Sequence, residues 1–232
     1  ARLKTVKRPD RIIDIMAHAI RTEQSWMNNF RLTYLGDGDQ REQMQTLIKL
    51  YDKEFSQKGL PLISQKIVFA GTCDNIPEWL SAADAFVLLS DMEGLPISVI
   101  EALASGLPCL VTNIEPMKPL IKHGENGFLI EPDNKEQGVD YLGRMVKDKL
   151  MQKMMHHKAA SSAQRFSVDH YINETLKLYE TLQESPKKMK KMGFFKRRHL
   201  LTAAQNHSKG IYEKQQENKL SLRAQQNDTK EG

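Results

Sequence analysis

Two acidic residues, Glu93 and Glu101, flank a turn that joins an apolar segment to a helix-like segment. The apolar segment ends at Ser90, and Gly94 lets the chain turn. Pro96 suits the first position of a helix, because the N–H group that proline lacks would have no partner there. Glu101 then lies more than one turn into the helix, about 7 Å along its axis. The pattern predicts carboxylates on both sides of a helix start.

A helix start of this kind can bind an anion. Its first backbone N–H groups, near Ile97 and Ser98, lack partners within the helix, and the helix dipole adds to their attraction for negative charge. A phosphate bound there would have carboxylates on either side that can accept hydrogen bonds from hydroxyl groups. A nucleotide sugar carries hydroxyl groups on both sides of its phosphates, so the pattern favours such a ligand.

Four short apolar runs must position this turn. Each run ends in glycine or small polar residues, and helical patterns alternate with the runs along the chain. Apolar strands without alternation indicate a parallel sheet that is covered on both faces. Ligands of such sheets bind beyond the carboxyl ends of the strands. The runs are residues 32–35, 67–70, 85–89 and 109–111.

The rest of the chain is helical and then changes character. Residues 135–184 show helical patterning, residues 187–198 hold seven basic residues and no acid, and residues 202–232 are rich in Gln, Asn and Lys. The last composition is typical of disorder. We therefore predict an α/β fold, a Rossmann-like parallel sheet flanked by helices, with a helical C-terminal segment. This domain would span residues 1–184 and precede a basic, largely disordered extension over residues 185–232.

The net charge of the chain does not belong to the predicted domain. The 232 residues carry a formal charge of +5. Residues 1–185 contain 22 basic and 25 acidic side chains, whereas residues 186–232 contain 12 and 4. A nucleic-acid-binding domain normally has a basic face of its own. We therefore expect no nucleic acid among the partners.

Other protein classes are also disfavoured. The sequence has no uninterrupted apolar run of the roughly 18 residues that a transmembrane helix needs, and its N-terminus lacks the apolar core of a signal peptide. The two cysteines, Cys73 and Cys109, have no metal-binding spacing, so we expect free thiols in a reducing compartment. We predict a cytoplasmic protein.

Five motifs, in the same order along the chain, resemble motifs of retaining glycosyltransferases of group 1, family 4. The first is the segment from Glu93 to Glu101, a Glu-x7-Glu motif. The resemblance implies the C-terminal, donor-binding half of a GT-B fold, with the N-terminal acceptor domain and the first strand of this half lying outside the sequence. The other motifs resemble the family's Gly-Arg-Leu-x3-Lys, Gly-Asp-Gly, Phe-Leu-Gly and Gly-x-Asn-Gly-x-Leu-Val and lie at residues 1–7, 36–38, 69–71 and 124–130.

The resemblance implies a role for each matching charged residue. Arg2 and Lys7 would bind the donor diphosphate and neutralise the charge that develops on the leaving nucleotide. Glu93 would contact the transferred sugar, and these three are the expected catalytic residues. Glu101 would accept hydrogen bonds from the ribose hydroxyls.

Two loops would add donor contacts through their backbone. Thr72 and Cys73 lie where the family's loop reads the base. The loop at the helix start would contact phosphate and sugar through Gly94, Leu95, Pro96 and Ile97.

Two features qualify this assignment. Arg8 stands where the family often has glycine, and its side chain could crowd the phosphate loop or add a cation to it. The Asp37-Gly38-Asp39 triplet could hold a metal-bound diphosphate, but it lies inside the Gly-Asp-Gly turn. Because cationic side chains and a helix start can replace a metal, we expect no metal. The resemblance implies a nucleotide-sugar donor, and we expect a UDP-sugar.

The basic segment at residues 187–198 has several interpretations. Its lysines and arginines alternate with methionine and phenylalanine, so it could lie on an anionic membrane surface. The protein would then be peripheral at the inner face of the cell membrane. Nucleic-acid binding by this segment and a solvated tail are the alternatives.

The resemblance implies an enzyme of the hexosyltransferase type. It would transfer a sugar from a nucleotide donor to a glycan or lipid-linked acceptor in cell-envelope polysaccharide synthesis, including lipopolysaccharide synthesis. The alternative is a non-catalytic nucleotide-sugar-binding module, or a half-enzyme that needs a separate acceptor-domain partner. A nucleotide-sugar epimerase fits the Glu-x7-Glu motif less well.

Overall fold

The computed structural model of the chain describes residues 3–184. The chain divides into two compact units, Ala1–Ser167 and Val168–Gly232. The second unit is described only through its helix α7, Val168–Glu184. The extension predicted at residues 185–232, with its basic segment, lies outside the described residues.

The first unit contains five short strands that pair in parallel, as predicted. Backbone hydrogen bonds group these described strands into a pair, β1–β2, and a triplet in the order β3–β4–β5. The strands are β1 (Leu32–Leu35), β2 (Ile67–Gly71), β3 (Phe86–Leu88), β4 (Cys109–Thr112) and β5 (Gly127–Ile130).

The fifth strand was not among the four apolar runs. It opens with Gly127, a residue that usually weakens a strand. Here the glycine is required by close packing, because a Cβ atom on Gly127 would lie 2.2 Å from the carbonyl oxygen of Cys109 on β4. The glycine therefore marks a close backbone approach within the sheet.

Helices cover the strands and connect them. The helices of the first unit are α1 (Arg11–Arg21), α2 (Arg41–Gln57), α3 (Ile76–Ser81), α4 (Ile97–Ala104), α5 (Lys135–Lys147) and α6 (Lys149–Ala163). The helical pattern predicted over residues 135–184 is confirmed by α5, α6 and α7. None of the helices within residues 3–184 is long and apolar enough to span a membrane.

Helix α1 joins the two strand groups in one core. Its apolar residues recur at helical spacing, and Ile13 and Met16 have no exposed surface. They belong to the same buried cluster as Tyr34 of β1, Leu110 of β4 and Phe128 of β5. Burial of this face supplies most of the free energy that holds α1 in place.

The N-terminal segment crosses the carboxyl ends of both strand groups. Near β1, the Leu3 N–H donates to the Asp37 carbonyl oxygen, and the Gln40 N–H donates to the Leu3 carbonyl oxygen, both at 3.0 Å. Near β3, the Asp91 N–H donates to the Val6 carbonyl oxygen at 2.9 Å. The segment is therefore held at the edge where a parallel α/β fold binds its ligands.

Gly38 makes this crossing possible. A Cβ atom at this position would lie 2.4 Å from the carbonyl oxygen of Leu3 and 2.8 Å from its carbonyl carbon. Since backbone atoms cannot rotate away as a flexible side chain can, any larger residue must displace the N-terminal segment. The Gly-Asp-Gly turn thus has a structural reason of its own.

We predict that Gly38→Ala destabilises the fold by about 1–3 kcal/mol, the range for overpacking a close contact. Thermal and denaturant unfolding of the variant measure this loss. Gly94→Ala is the matched control, because its Cβ would meet nothing within 4 Å. Equal stability of the two variants would contradict the packing argument.

Candidate functional site

The loop between β3 and α4 carries the Glu-x7-Glu motif. Helix α4 begins at Ile97, one residue after the predicted start, because Pro96 has a non-helical ψ of 82° and precedes the helix as its N-cap. The Ile97 N–H donates to the Leu95 carbonyl oxygen at 2.9 Å, and the Val99 N–H donates to the Pro96 carbonyl oxygen at 3.0 Å. Within the described residues, the Ser98 N–H has no acceptor. The helix start therefore offers the Ser98 donor to a ligand, while the Ile97 donor is engaged within the loop.

Lys7 and Glu93 form an ion pair at the end of β3. The Lys7 Nζ atom lies 2.5 Å from both carboxylate oxygens of Glu93. The Ser90 hydroxyl donates to Glu93 Oε1 at 2.6 Å. The Glu93 side chain is only 5% exposed, whereas that of Lys7 is 28% exposed. Both carboxylate oxygens are therefore held by partners of the same chain, and the ammonium group remains accessible from solvent.

Glu101 has the opposite environment. It lies in the second turn of α4, is exposed, and makes no side-chain hydrogen bond or ion pair with the residues that the structure describes. A carboxylate of this kind has its acceptor sites open to hydroxyl donors of a ligand. The two glutamates that the motif singles out are therefore available to different degrees.

The expected base-reading residues follow β2. Gly71 ends that strand with a φ of 73°, a conformation that glycine adopts readily. Thr72 is exposed and Cys73 is half-buried. The structure therefore places both Thr72 and Cys73 at the carboxyl end of β2.

The other expected donor-binding residues lie in different segments. Gly94 and Leu95 are exposed in the loop after β3. Arg2 lies outside the described residues, so its role stays a prediction.

Arg8 binds carboxylates. Its Nη2 atom lies 2.9 Å from Asp10 Oδ2 and 3.5 Å from Asp133 Oδ1, and its Nη1 atom lies 3.7 Å from Asp91 Oδ2. The guanidinium charge is thus met by three acidic side chains. The residue that replaces the family's glycine is part of an ion-pair network.

Arg11 is the buried member of that network, with 5% of its side chain exposed. Its Nη1 group donates to the Leu89 carbonyl oxygen at 2.8 Å. Its Nη2 atom lies 2.5 Å from Asp91 Oδ1, and its Nε group donates to Asp133 Oδ1 at 2.8 Å. We refer to Arg8, Arg11, Asp91 and Asp133 as the arginine–aspartate network. Sequence reasoning did not identify it, because its members lie far apart in the chain.

The hydrogen bond from Arg11 holds the pKa of Asp133 below its ordinary value, and the nearby charges of Arg11 and Arg8 act in the same direction. The Asp133 carboxylate is thus charged throughout the neutral range. It joins the loop between β5 and α5 to the start of α1.

Asp37, the first residue of the Asp37-Gly38-Asp39 triplet, is engaged in local contacts. Asp37 accepts hydrogen bonds from the Gly38 N–H at 2.8 Å and from Arg41 Nη1 at 2.9 Å. Over residues 3–184, no group of three or more His, Cys, Asp or Glu side chains is arranged to hold a metal ion. Asp37 is thus occupied by partners of its own chain.

We predict that Arg11→Met destabilises the fold by about 2–3 kcal/mol, because it leaves the Leu89 carbonyl and two carboxylates without their donor. The expected loss is below that of a fully buried pair, since both aspartates retain solvent access. Chemical denaturation measures it. Arg41→Met, which breaks an exposed pair with Asp37, should lose less than about 1 kcal/mol. Equal losses would contradict the buried role of Arg11.

The lowered pKa of Asp133 also predicts a pH dependence. Its ion pair stabilises the fold at pH values above the ordinary aspartate pKa of about 4, and this stability is lost as the pH falls through the lowered value. Wild type should thus be more stable than Asp133→Asn near neutral pH. The difference should shrink as the pH falls below the ordinary aspartate pKa and through the lowered pKa of Asp133, because protonation removes the charge that Asn lacks. Unfolding curves across this range measure it, and a difference independent of pH would refute the assignment.

Comparison with known proteins shows which family the chain belongs to. The chain matches the family "Glycosyl transferases group 1" over residues 1–162. It is 32% identical over 117 residues to the UDP-Gal:alpha-D-GlcNAc-diphosphoundecaprenol alpha-1,3-galactosyltransferase of Escherichia coli, which covers 50% of this chain and 30% of that protein. The chain spans about a third of the length of the curated relatives it matches.

Solved structures share the fold. A point mutant of S. aureus TarM, in complex with Fondaparinux, alpha-GlcNAc-glycerol and UDP, superposes with a TM-score of 0.65 at 20% identity, over 77% of this chain and 34% of that one. The C-terminal domain of the group 1 family protein LpcC from Francisella tularensis gives 0.57 at 24% identity, over 72% of this chain and 83% of that one. The Rossmann-like half of a GT-B fold is thereby confirmed, and the chain belongs to the group 1 glycosyltransferase family.

Proposed function

We propose that this chain is the donor-binding part of a retaining glycosyltransferase that uses a UDP-sugar. The acceptor would be a glycan or a lipid-linked sugar in cell-envelope polysaccharide synthesis. The observation that carries the proposal is the Lys7–Glu93 ion pair at the carboxyl end of β3, with the Ser98 N–H and the exposed Glu101 on the adjoining helix. A nucleoside diphosphate can be bound by a cation and a backbone donor for its phosphates and a carboxylate with free acceptor sites for its ribose hydroxyls.

The diphosphate would bind to the Lys7 ammonium and the Ser98 N–H. The ammonium group is held by Glu93 but is accessible from solvent, so an anion can approach it without first breaking the pair. Helix α4 begins four residues after Glu93, and the positive end of its dipole would add to the attraction for the phosphates. The donor phosphates would thus meet charge and hydrogen-bond donors that are already in position, with Arg2 adding a second cation.

The remaining donor groups have counterparts in the site. Glu101 would accept hydrogen bonds from the ribose hydroxyls, and Glu93 would contact the transferred sugar. The base would lie against the backbone at Thr72 and Cys73. The loop residues Gly94 to Ile97 would line the phosphate and sugar between these ends.

Transfer would break the bond between the anomeric carbon and the diphosphate oxygen and form a bond to the oxygen of an acceptor hydroxyl on the same face, and the proton of that hydroxyl would pass to the departing diphosphate. Negative charge accumulates on the departing diphosphate as this bond breaks. Lys7, Arg2 and the helix start would stabilise that charge without a metal, because fixed cations and dipoles lower the barrier when aimed at developing charge. The side chains of this chain therefore act mainly on the leaving group.

The relatives support the same assignment. The name of the E. coli relative gives UDP-Gal as its donor and a diphosphoundecaprenol-linked sugar as its acceptor. The S. aureus TarM structure contains UDP. By analogy we propose a UDP-sugar, a lipid-linked acceptor, and a cytoplasmic location at the inner membrane face. Contact with that face would come from residues 187–198, outside the described residues.

We predict that wild type binds UDP more tightly than 2′-deoxy-UDP and that Glu101→Ala removes this discrimination. The loss of a charged hydrogen-bond acceptor should weaken UDP binding about tenfold. Isothermal titration calorimetry in the presence of EDTA measures both ligands and keeps the result independent of metals.

The control for this experiment is Glu125→Ala, which removes an equally exposed carboxylate from the turn before β5. Its affinity for both nucleotides should equal that of wild type. If wild type binds no uridine, guanosine or adenosine diphosphate, the proposed function is wrong. If Glu101→Ala still discriminates between the two ligands, the ribose assignment is wrong.

A further inference from the structure

Two residues beside the site have a backbone conformation that favours glycine. Arg8 has φ 43° and ψ 55°, and Asp133 has φ 60°. Side chains rarely adopt this left-handed region, because the Cβ atom approaches the neighbouring carbonyl oxygen too closely. Glycine would adopt it without strain at either position. A side chain retained at both positions therefore needs a compensating contact.

The two side chains contact each other and also pair with neighbouring charges, Arg8 most closely with Asp10 at 2.9 Å. Arg8 Nη2 lies 3.5 Å from Asp133 Oδ1, and Arg11 Nε lies 2.8 Å from the same oxygen. Both arginines also contact Asp91, at 3.7 Å from Arg8 and 2.5 Å from Arg11. The third non-glycine residue with a positive φ in the described part of the chain, Glu23, is exposed and lies outside the network.

The arginine–aspartate network adjoins both members of the ion pair at the site. Arg8 directly follows Lys7, and Asp91 lies two residues before Glu93. The backbone of Asp91 is also hydrogen-bonded to Val6, at 2.9 Å. Three segments thus meet in the network: the N-terminal segment, the loop after β3 and the loop after β5.

We infer that Arg8 and Asp133 are positioning residues, which fix the Lys7 segment and the Glu93 loop against the β5–α5 loop in the conformation that binds a nucleoside diphosphate. This inference rests on the proposed function. Both residues act through Lys7 and Glu93 and need no contact with the ligand. Without their ion pair, the ammonium group would be presented to the phosphates less often in the required place.

Electrostatic attraction alone predicts a different result for Asp133. Removal of a carboxylate near an anion site should strengthen the binding of UDP through its charge. Loss of a positioning contact should weaken it. Asp133→Gly therefore separates the two explanations by the sign of the effect, and glycine also suits the left-handed backbone, so the variant introduces no strain.

The experiment uses the 232-residue chain and titrates UDP into wild type, Arg8→Gly, Asp133→Gly and the double variant, with thermal unfolding to verify folding. Both single variants should weaken UDP binding about five- to tenfold. The double variant should weaken binding by less than the product of the two single effects, because the Arg8–Asp133 contact is lost in both single variants. Glu23→Gly relieves the same backbone strain outside the network and should bind as wild type does.

Hydrogen exchange of the unliganded protein provides a second measurement. Asp133→Gly should speed amide exchange in peptides covering residues 4–11 and 89–96, and Glu23→Gly should not. If Asp133→Gly binds UDP at least as tightly as wild type, the positioning inference is overturned. If wild type binds no nucleotide while Asp133→Gly still speeds exchange in these peptides, the network is supported and the donor-binding proposal fails.

Discussion

A buried guanidinium group must be surrounded by acceptors, and much of this molecule is arranged around that constraint at Arg11. Its acceptors come from the Leu89 carbonyl at the end of β3, from Asp91 in the following loop and from Asp133 after β5. Arg11 is also the first residue of α1, whose apolar face fills the larger core. Packing α1 into the core therefore places the loops around the site in the same step.

The two glutamates of the motif are the same residue type, but their environments in the fold are different. Glu93 is buried, held by Lys7 and Ser90, and maintains the shape of the loop. Glu101 projects from the second turn of α4 with its acceptors open. In the proposed donor site, Glu93 would be organised before the ligand arrives and Glu101 would respond to the ligand. Organisation in advance lowers the entropy that binding must lose.

The sequence predicted local features well and long-range contacts poorly, for a physical reason. The types of adjacent residues predict the turn and the helix start near Pro96, and four of the five described strands appear in the sequence as apolar runs. The Lys7–Glu93 pair joins residues 86 positions apart, and only a resemblance to a family brought them together. The Arg11–Asp133 contact spans 122 positions, and no spacing or composition signals it. Such pairs depend on how the elements pack, which a single sequence does not state.

The two cysteines differ in a way that can be used. Cys109 lies in the middle of the sheet with no exposed surface, and burial raises the pKa of its thiol far above the neutral range. Cys73 is half-buried just after β2, in the loop expected to hold the base. An alkylating reagent should therefore modify the folded protein at one position next to the site. A ligand that covers the Cys73 thiol should slow this reaction. The rate of alkylation would therefore report whether the proposed site is occupied.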